Sequence, residues 1–242
     1  MKHIIVSRVN LEMDLCPSKY KDTAPYKNPE WQASRVPLLD TYARASLLKQ
    51  TEPHFCFVSV WMEGTHDFGS ILPNEITVTI QRTGRDDDGP LDYTGKGKQT
   101  LNYADQIRQK ISEIFDPPLL VTGLDIDDCL HRDYCRILYN AVRESEFDRG
   151  KPRWWSTERR FCYNINDGRK GQKQTEAPSP FVSTYEPVTM IYPARYNHTW
   201  LPKHVPTGGN VKGLFGLQTV HNTNMFSRSV GDPADFNLED FL

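Results

Sequence analysis

Three acidic side chains, Asp125, Asp127 and Asp128, stand within four residues at the end of the run Leu119-Leu-Val-Thr-Gly-Leu-Asp-Ile-Asp-Asp128. The run before them is short, apolar and partly β-branched, which is the pattern of a buried strand. Carboxylates just past such a strand lie where open α/β sheets hold ligands. Clustered carboxylates repel one another, and a hard divalent cation relieves that repulsion. The spacing therefore points to metal-assisted chemistry on a phosphate-bearing substrate, with the ion neutralising a departing diphosphate. The same residues also suit a plainer role. Asp127 or Asp128 could cap a helix beginning near Leu130, where a carboxylate meets the positive helix end.

The elements that would position the cluster are legible. His3–Val6, Phe55–Trp61, Glu75–Gln81 and Leu119–Leu124 read as strands. Pro37–Lys49 reads as a helix with Leu39, Tyr42, Ala43 and Leu47 on one face. Leu101, Ala104, Ile107, Ile111 and Ile114 define a second helix, and Leu130, Tyr134, Ile137 and Ala141 a third. The order β, α, β, β, α, β, α over residues 1–145 predicts a mostly parallel, doubly wound sheet. Strands are also expected at Phe161–Ile165, Val182–Tyr185, Val188–Tyr192 and Leu217–His221, separated by Gly- and Pro-rich loops. Asp86–Asp88 has no strand before it and reads as a solvated loop. The C-terminal Gly231–Leu242 is acidic with spaced apolar residues and is expected to dock or fray.

Length and composition narrow the classes. A chain of 242 residues that is 38% hydrophobic suits one α/β domain. A net charge of −2 excludes a global field attracting nucleic acid. Five cysteines without a Cys-x-x-Cys pair argue against a zinc cage or disulfide framework and for a reducing, cytoplasmic setting. No apolar run approaches membrane-spanning length.

Several segments together resemble the rhamnosyltransferase family of GT-A-type nucleotide-sugar glycosyltransferases. They are Val6-Ser-Arg8-Val-Asn10, Trp31-Gln-Ala-Ser-Arg35 leading into Leu38–Tyr42, Ser46–Thr51, Leu124-Asp-Ile-Asp-Asp128 and Leu217-Gln-Thr-Val-His-Asn-Thr-Asn224. The similarity covers residues 3–145 and, more weakly, 181–228. It implies a single GT-A-like, Rossmann-type domain with helices on both faces. Residues 1–145 would form the nucleotide-sugar half and 146–242 the acceptor half. It implies that Asp125 and Asp127 correspond to the DxD motif holding Mn²⁺ or Mg²⁺. A late histidine often completes such a site, and His221 is the best match, since neutral imidazole ligates manganese. His198 and His204 lie among loop signals and match less well.

Other positions follow from their places at strand and helix ends. Arg8 ends the first strand, Arg35 precedes a helix and Arg82 ends a strand, so all three are candidates to meet the nucleotide or its phosphates. An inverting reaction needs a carboxylate base, for which Asp167, Glu158 and Glu186 lie in suitable segments. Residues 149–173 carry eight Lys or Arg against two acids, with Trp154, Trp155 and Tyr163 interleaved. Such a segment, Arg149–Lys173, suits an acceptor glycan or DNA, with aromatics stacking on sugars or bases. It equally suits a solvated hairpin with its two tryptophans buried beneath it. Two other classes stay open. One is a metal-dependent nuclease or nucleotidyltransferase, and the other a non-catalytic polyanion-binding protein on a degenerate transferase fold.

Overall fold

The computed structural model describes residues 1–9, 29–63, 72–81, 98–174, 179–195, 198, 201–220 and 230–242. The predicted core strands are present as β1 (Lys2–Arg8), β2 (Cys56–Met62), β3 (Glu75–Ile80) and β4 (Leu119–Gly123). They pair in the order β3-β2-β1-β4, all parallel. Chain order thus runs outward from β1 through β2 to β3, then returns to place β4 on the other flank of β1. The switch point of the sheet falls between β1 and β4, where such sheets open a crevice beyond the strand ends.

Helices cover both faces, as expected of a Rossmann-type α/β sheet. On one face α3 (Lys98–Ile114) packs Tyr103, Ala104, Ile107 and Ile111 against Ile4, Val6, Val58 and Val121. On the other, α4 (Tyr134–Glu144) and the helical stretch after Pro29 pack Leu138, Val142, Leu39 and Leu47 against Ile5, Phe57 and Leu120.

That first helical stretch begins earlier than Pro37. It runs as α1 (Pro29–Leu38), a π-helical segment (Leu39–Arg44) and α2 (Ala45–Leu48). Pro37 lies inside α1 and lacks the N–H that an α-helical turn requires, and the wider π turn follows directly. The π segment buries Arg44, whose guanidinium meets both oxygens of Glu75 at 2.8 and 2.6 Å and Asp40 at 2.7 Å.

The second half extends the same sheet. β8 (Ser183–Glu186) adds antiparallel to β4, then β6 (Arg153–Asn164), β7 (Lys170–Gln174) and β10 (Asp232–Pro233) follow. β9 (Thr207–Val220) runs parallel to β6 and also pairs with the short β5 (Asp128–Leu130). The C-terminal residues dock. Phe236, Leu238, Phe241 and Leu242 pack with Phe161, Phe215 and Leu217, and Phe241 is buried.

The expected strand at Val188–Tyr192 is not formed. The buried carboxylate of Glu186 accepts the N–H groups of Met190, Ile191 and Tyr192 at 2.7–2.9 Å, together with the Thr184 hydroxyl at 2.7 Å. Those donors are thereby withdrawn from any ladder, and Tyr192–Arg195 forms a short helical turn, α5.

One core polar residue sets a pH dependence. His3 of β1 is buried between Thr122, at 2.8 Å from Nε2, and Tyr139, at 3.1 Å from Nδ1. The Tyr139 hydroxyl donates to the carbonyl of His54, so Nδ1–H donates to Tyr139 and Nε2 accepts from Thr122. The ring is neutral, and burial lowers its pKa from 6.5 to about 3. The unfolded chain therefore binds more protons below pH 6.5, and His3 withdraws stability as pH falls from 6.5 towards 3. Between pH 7 and 4.5 that loss amounts to about 3 kcal/mol. Urea titrations at both pH values should show it in the wild type and show a smaller drop in His3→Gln. Equal drops in both proteins would contradict the assignment.

Candidate active site

Two strand ends meet at the switch point. Val6 of β1 pairs with Gly123, the last residue of β4, so Arg8 at the end of β1 and Asp125 just past β4 lie at the same end of the sheet. The Arg8 guanidinium lies 4.0 Å from the Asp125 carboxylate, and both are open to solvent. Ser7 Oγ and the carbonyl of Val6 bond to Leu124, which fixes the chain where it leaves β4.

Beyond Leu124 the backbone turns tightly. Asp128 N–H donates to the carbonyl of Asp125 at 3.1 Å, and Ile126 anchors the turn in the core. Asp125 is exposed, whereas Asp127 and Asp128 are buried, at 6% and 2% of their surface. Thr219 of β9 holds both: its hydroxyl donates to the Asp127 carbonyl, and its N–H donates to Asp128 Oδ1 at 3.1 Å. Burial pushes the Asp128 carboxyl well above its ordinary range. The neighbouring Asp127 and Asp125 add to the rise, while the Thr219 N–H and Arg160 oppose it. The buried Asp127 and Asp128 carboxyls thus crowd together beside the exposed Asp125.

Helix capping does not account for these residues. Asp128 opens β5, and α4 starts only at Tyr134 with Asp133 in the cap position. Tyr42, carried by the π segment, lies close enough to feel Asp127. Burial raises its hydroxyl pKa, with Cys129, Tyr163 and Asp127 adding to the effect. Among the described residues, no three His, Cys, Asp or Glu side chains already converge as a metal cage. His221 and Arg82 lie outside the described residues, as does the Asp86–Asp88 run. Arg35 belongs to α1, and its side chain is not among those described.

The two acids considered as bases are placed differently. Asp167, in the β6–β7 turn, accepts from Asn164 Nδ2, Arg169 N–H and Arg169 Nε at 2.8–3.0 Å. Glu158, on β6, accepts a single N–H, that of Gly213, through Oε2 at 3.1 Å. It stands where the β6–β9 register shifts between Thr157 and Arg159. Glu186 is fully occupied in its loop.

The basic segment separates into individual contacts. Arg149 stacks on Phe147 at 4.1 Å and donates to the Val142 carbonyl. Arg153 donates to the Thr207 carbonyl, Lys151 pairs with Asp148, Arg169 with Asp167, and Lys170 donates to the Phe236 carbonyl. Trp154 and Trp155 are buried, so neither offers an exposed stacking face. Arg159 and Arg160 point to opposite faces of β6, as successive strand residues do. Arg159 reaches Gln172 at 3.4 Å.

Arg160 takes the other face, which is that of the acid cluster. Asp128 pairs with Gln218, Gln218 with Cys162, and Arg160 is the next residue of β6 on that side. His198 joins it. Burial, and after it the Arg160 charge, lowers the His198 pKa to about 4, so the imidazole is neutral. Loop signals surround His198 in the sequence, which makes it a poorer match than His221 there, and no periodicity marks it.

No protein-family model matches the chain, and no curated protein matches it. Among solved structures, a crystal structure of S. aureus TarS aligns with 91% of this chain at 12% identity and a TM-score of 0.38. The chain spans 37% of the length of that structure. A likeness of this size is no guide to activity.

Proposed function

We propose that the protein is a metal-dependent glycosyltransferase that moves a sugar from a nucleotide-diphosphate donor to an acceptor hydroxyl. One observation carries this reading. A cation, Arg8, and the acids Asp125, Asp127 and Asp128 gather at the switch point between β1 and β4, where a nucleotide would lie. The resemblance of the surrounding segments to GT-A-type transferases supports the same reading.

The chemistry of the residues supports a hard divalent ion. Clustered, mutually repelling carboxylates are the donor type that Mn²⁺ or Mg²⁺ takes, and a cation would offset the repulsion that adds to the rise of Asp128. Asp125 and Asp127 would hold it, with His221 completing the set. The ion supplies charge stabilisation for the departing diphosphate. Arg8 would orient the nucleotide or its phosphates, with Arg35 and Arg82 as further donor contacts. Glu158 is the better base of the two acids, because Asp167 has both oxygens engaged within its own turn. It would take the proton of the acceptor hydroxyl. The four described cysteines are free thiols, in keeping with a cytoplasmic setting. No helix among the described residues is long and apolar enough to cross a membrane.

The test is release of nucleoside diphosphate from a panel of nucleotide sugars with Mn²⁺, read beside hydrolysis of nucleic acid and of nucleoside triphosphates without any sugar donor. Metal-dependent release from one donor supports the transferase. Hydrolysis of nucleic acid or triphosphates alone would replace it with the nuclease or nucleotidyltransferase reading.

A further inference from the structure

Arg160 and Arg153 both bury an unbonded Nε, but Arg153 still donates through Nη1 to the Thr207 carbonyl, whereas Arg160 does not share such a bond. Among the described residues its guanidinium forms no ion pair, although Asp128 is near enough to be felt. Its register partner across β7 is Lys173, which shares the same face. Both cations act on the buried thiol of Cys162, which places them together over β6. Gln218, between Asp128 and Cys162 in register, has its Oε1 buried and unbonded as well.

A buried donor or acceptor atom left without a hydrogen bond is costly. A carboxylate partner would satisfy Arg160, yet among the described residues none forms an ion pair with it. An incoming anion answers every feature. It would accept from the planar guanidinium fork and from the Lys173 ammonium. A Gln218 amide turned over would add an NH₂ donor in place of its unbonded oxygen. Tetrahedral oxyanions suit this combination of a fork and a point charge.

The position within the sheet says which substrate would carry the anion. The strand order β6-β8-β4-β1 puts Arg160 and Arg8 on opposite sides of β4. Arg8 belongs to the nucleotide crevice, and the acids lie between the two arginines. Asp128 and Cys162 are two strand spacings apart, or about 10 Å.

We propose that Arg160, with Lys173 and Gln218 beside it, binds a phosphoryl-type anion carried by the acceptor, on the side of Asp128 away from Arg8. The assignment to an acceptor rests on the transferase reading, whereas the anion site rests on the geometry alone.

The test uses the full chain, freed of metal with EDTA, and inorganic phosphate as probe. The arginine Nε–H resonances are followed by NMR, with Arg160→Lys identifying the Arg160 signal by its loss. The expected result is a saturable shift of that signal and at least ten-fold weaker phosphate binding in Arg160→Gln by calorimetry. No shift, or unchanged affinity in Arg160→Gln, would overturn the anion site. The shift is read on the wild-type protein, so misfolding of a variant does not blunt the test. Repeating the titration with Mn²⁺ and a saturating nucleoside diphosphate separates the two sources. Undiminished phosphate binding assigns the anion to the acceptor. Competition would overturn that assignment and give the site to the leaving diphosphate. Failure of any nucleoside diphosphate to bind would count against the transferase reading while leaving the metal-free phosphate result standing.

Discussion

Asp127→Ala is expected to cut metal-dependent release of nucleoside diphosphate by about 100-fold or more, the scale of losing a group that stabilises transition-state charge, and to leave the fold intact. One anchor of the turn lies on the Asp127 backbone. The Thr219 hydroxyl bonds to the backbone carbonyl of Asp127, which alanine retains. The Asp128 carboxylate keeps its own bond to Thr219 N–H. Removing one of the neighbouring acids also relieves the repulsion that raises Asp128. Catalysis and stability should therefore separate: release collapses while the urea midpoint holds or rises. A variant that keeps its release rate would remove Asp127 from the chemistry. A variant that unfolds would mean that the side chain holds the turn.

The largest stability effect is expected at Arg44. Its side chain is 1% exposed, and that of its partner Glu75 is fully buried. Two parallel hydrogen bonds join them, and Asp40 takes a third. Arg44→Ala strands the Glu75 carboxylate in a dry site and should cost about 3–5 kcal/mol, the usual price of leaving one buried charge without its partner. Replacing both, as Arg44→Met with Glu75→Leu, should recover much of that loss, because the penalty lies in the orphaned charge. The pair also ties the π-helical segment to β3, and that segment carries Tyr42 towards Asp127. Urea denaturation of the single and double variants provides the measurement. A single-variant loss below about 1 kcal/mol, the range of exposed pairs, would show that the bridge is not shielded as described.

Much of the parallel half was legible from the chain alone. β1, β2, β3 and β4 announce themselves by short apolar or alternating runs. The face of α3 shows in the spacing of Ala104, Ile107 and Ile111. The acid cluster stands out because an apolar strand feeds it. The earlier start of the first helix was hidden, since Pro37 looks like a first-turn residue and is in fact an interior one. The lengths of β6 and β9 were hidden too, because polar, charged and glycine residues interrupt their apolar runs at Ser156–Arg160 and Gly208–Gly213. The strand expected at Val188–Tyr192 failed for a tertiary reason. Glu186 takes the backbone donors of Met190, Ile191 and Tyr192 for itself. No local propensity registers that capture.

The candidate site divides in the same way. Asp125, Asp127 and Arg8 could be placed at strand ends from pattern and topology. Arg160 could not be told from Arg159 by composition, because only pairing decides which face of β6 each takes. The run of basic charge between Arg149 and Lys173 reads in sequence either as an acceptor surface or as a solvated hairpin over two buried tryptophans. In the fold, most of those side chains turn to carbonyls, rings or nearby acids, and the tryptophans go inward. Charge density along a chain becomes a surface patch only when the strand geometry brings the side chains to one side.

The central claim, that the acids at the switch point hold a metal for a nucleotide-sugar donor, is tested most directly by thermal shift. A panel of nucleoside diphosphates and nucleotide sugars would be titrated with and without Mn²⁺. The account predicts a metal-dependent rise in Tm for one nucleotide family, lost in Asp127→Ala. A folded protein that shows no shift with any donor, with or without Mn²⁺, would contradict it.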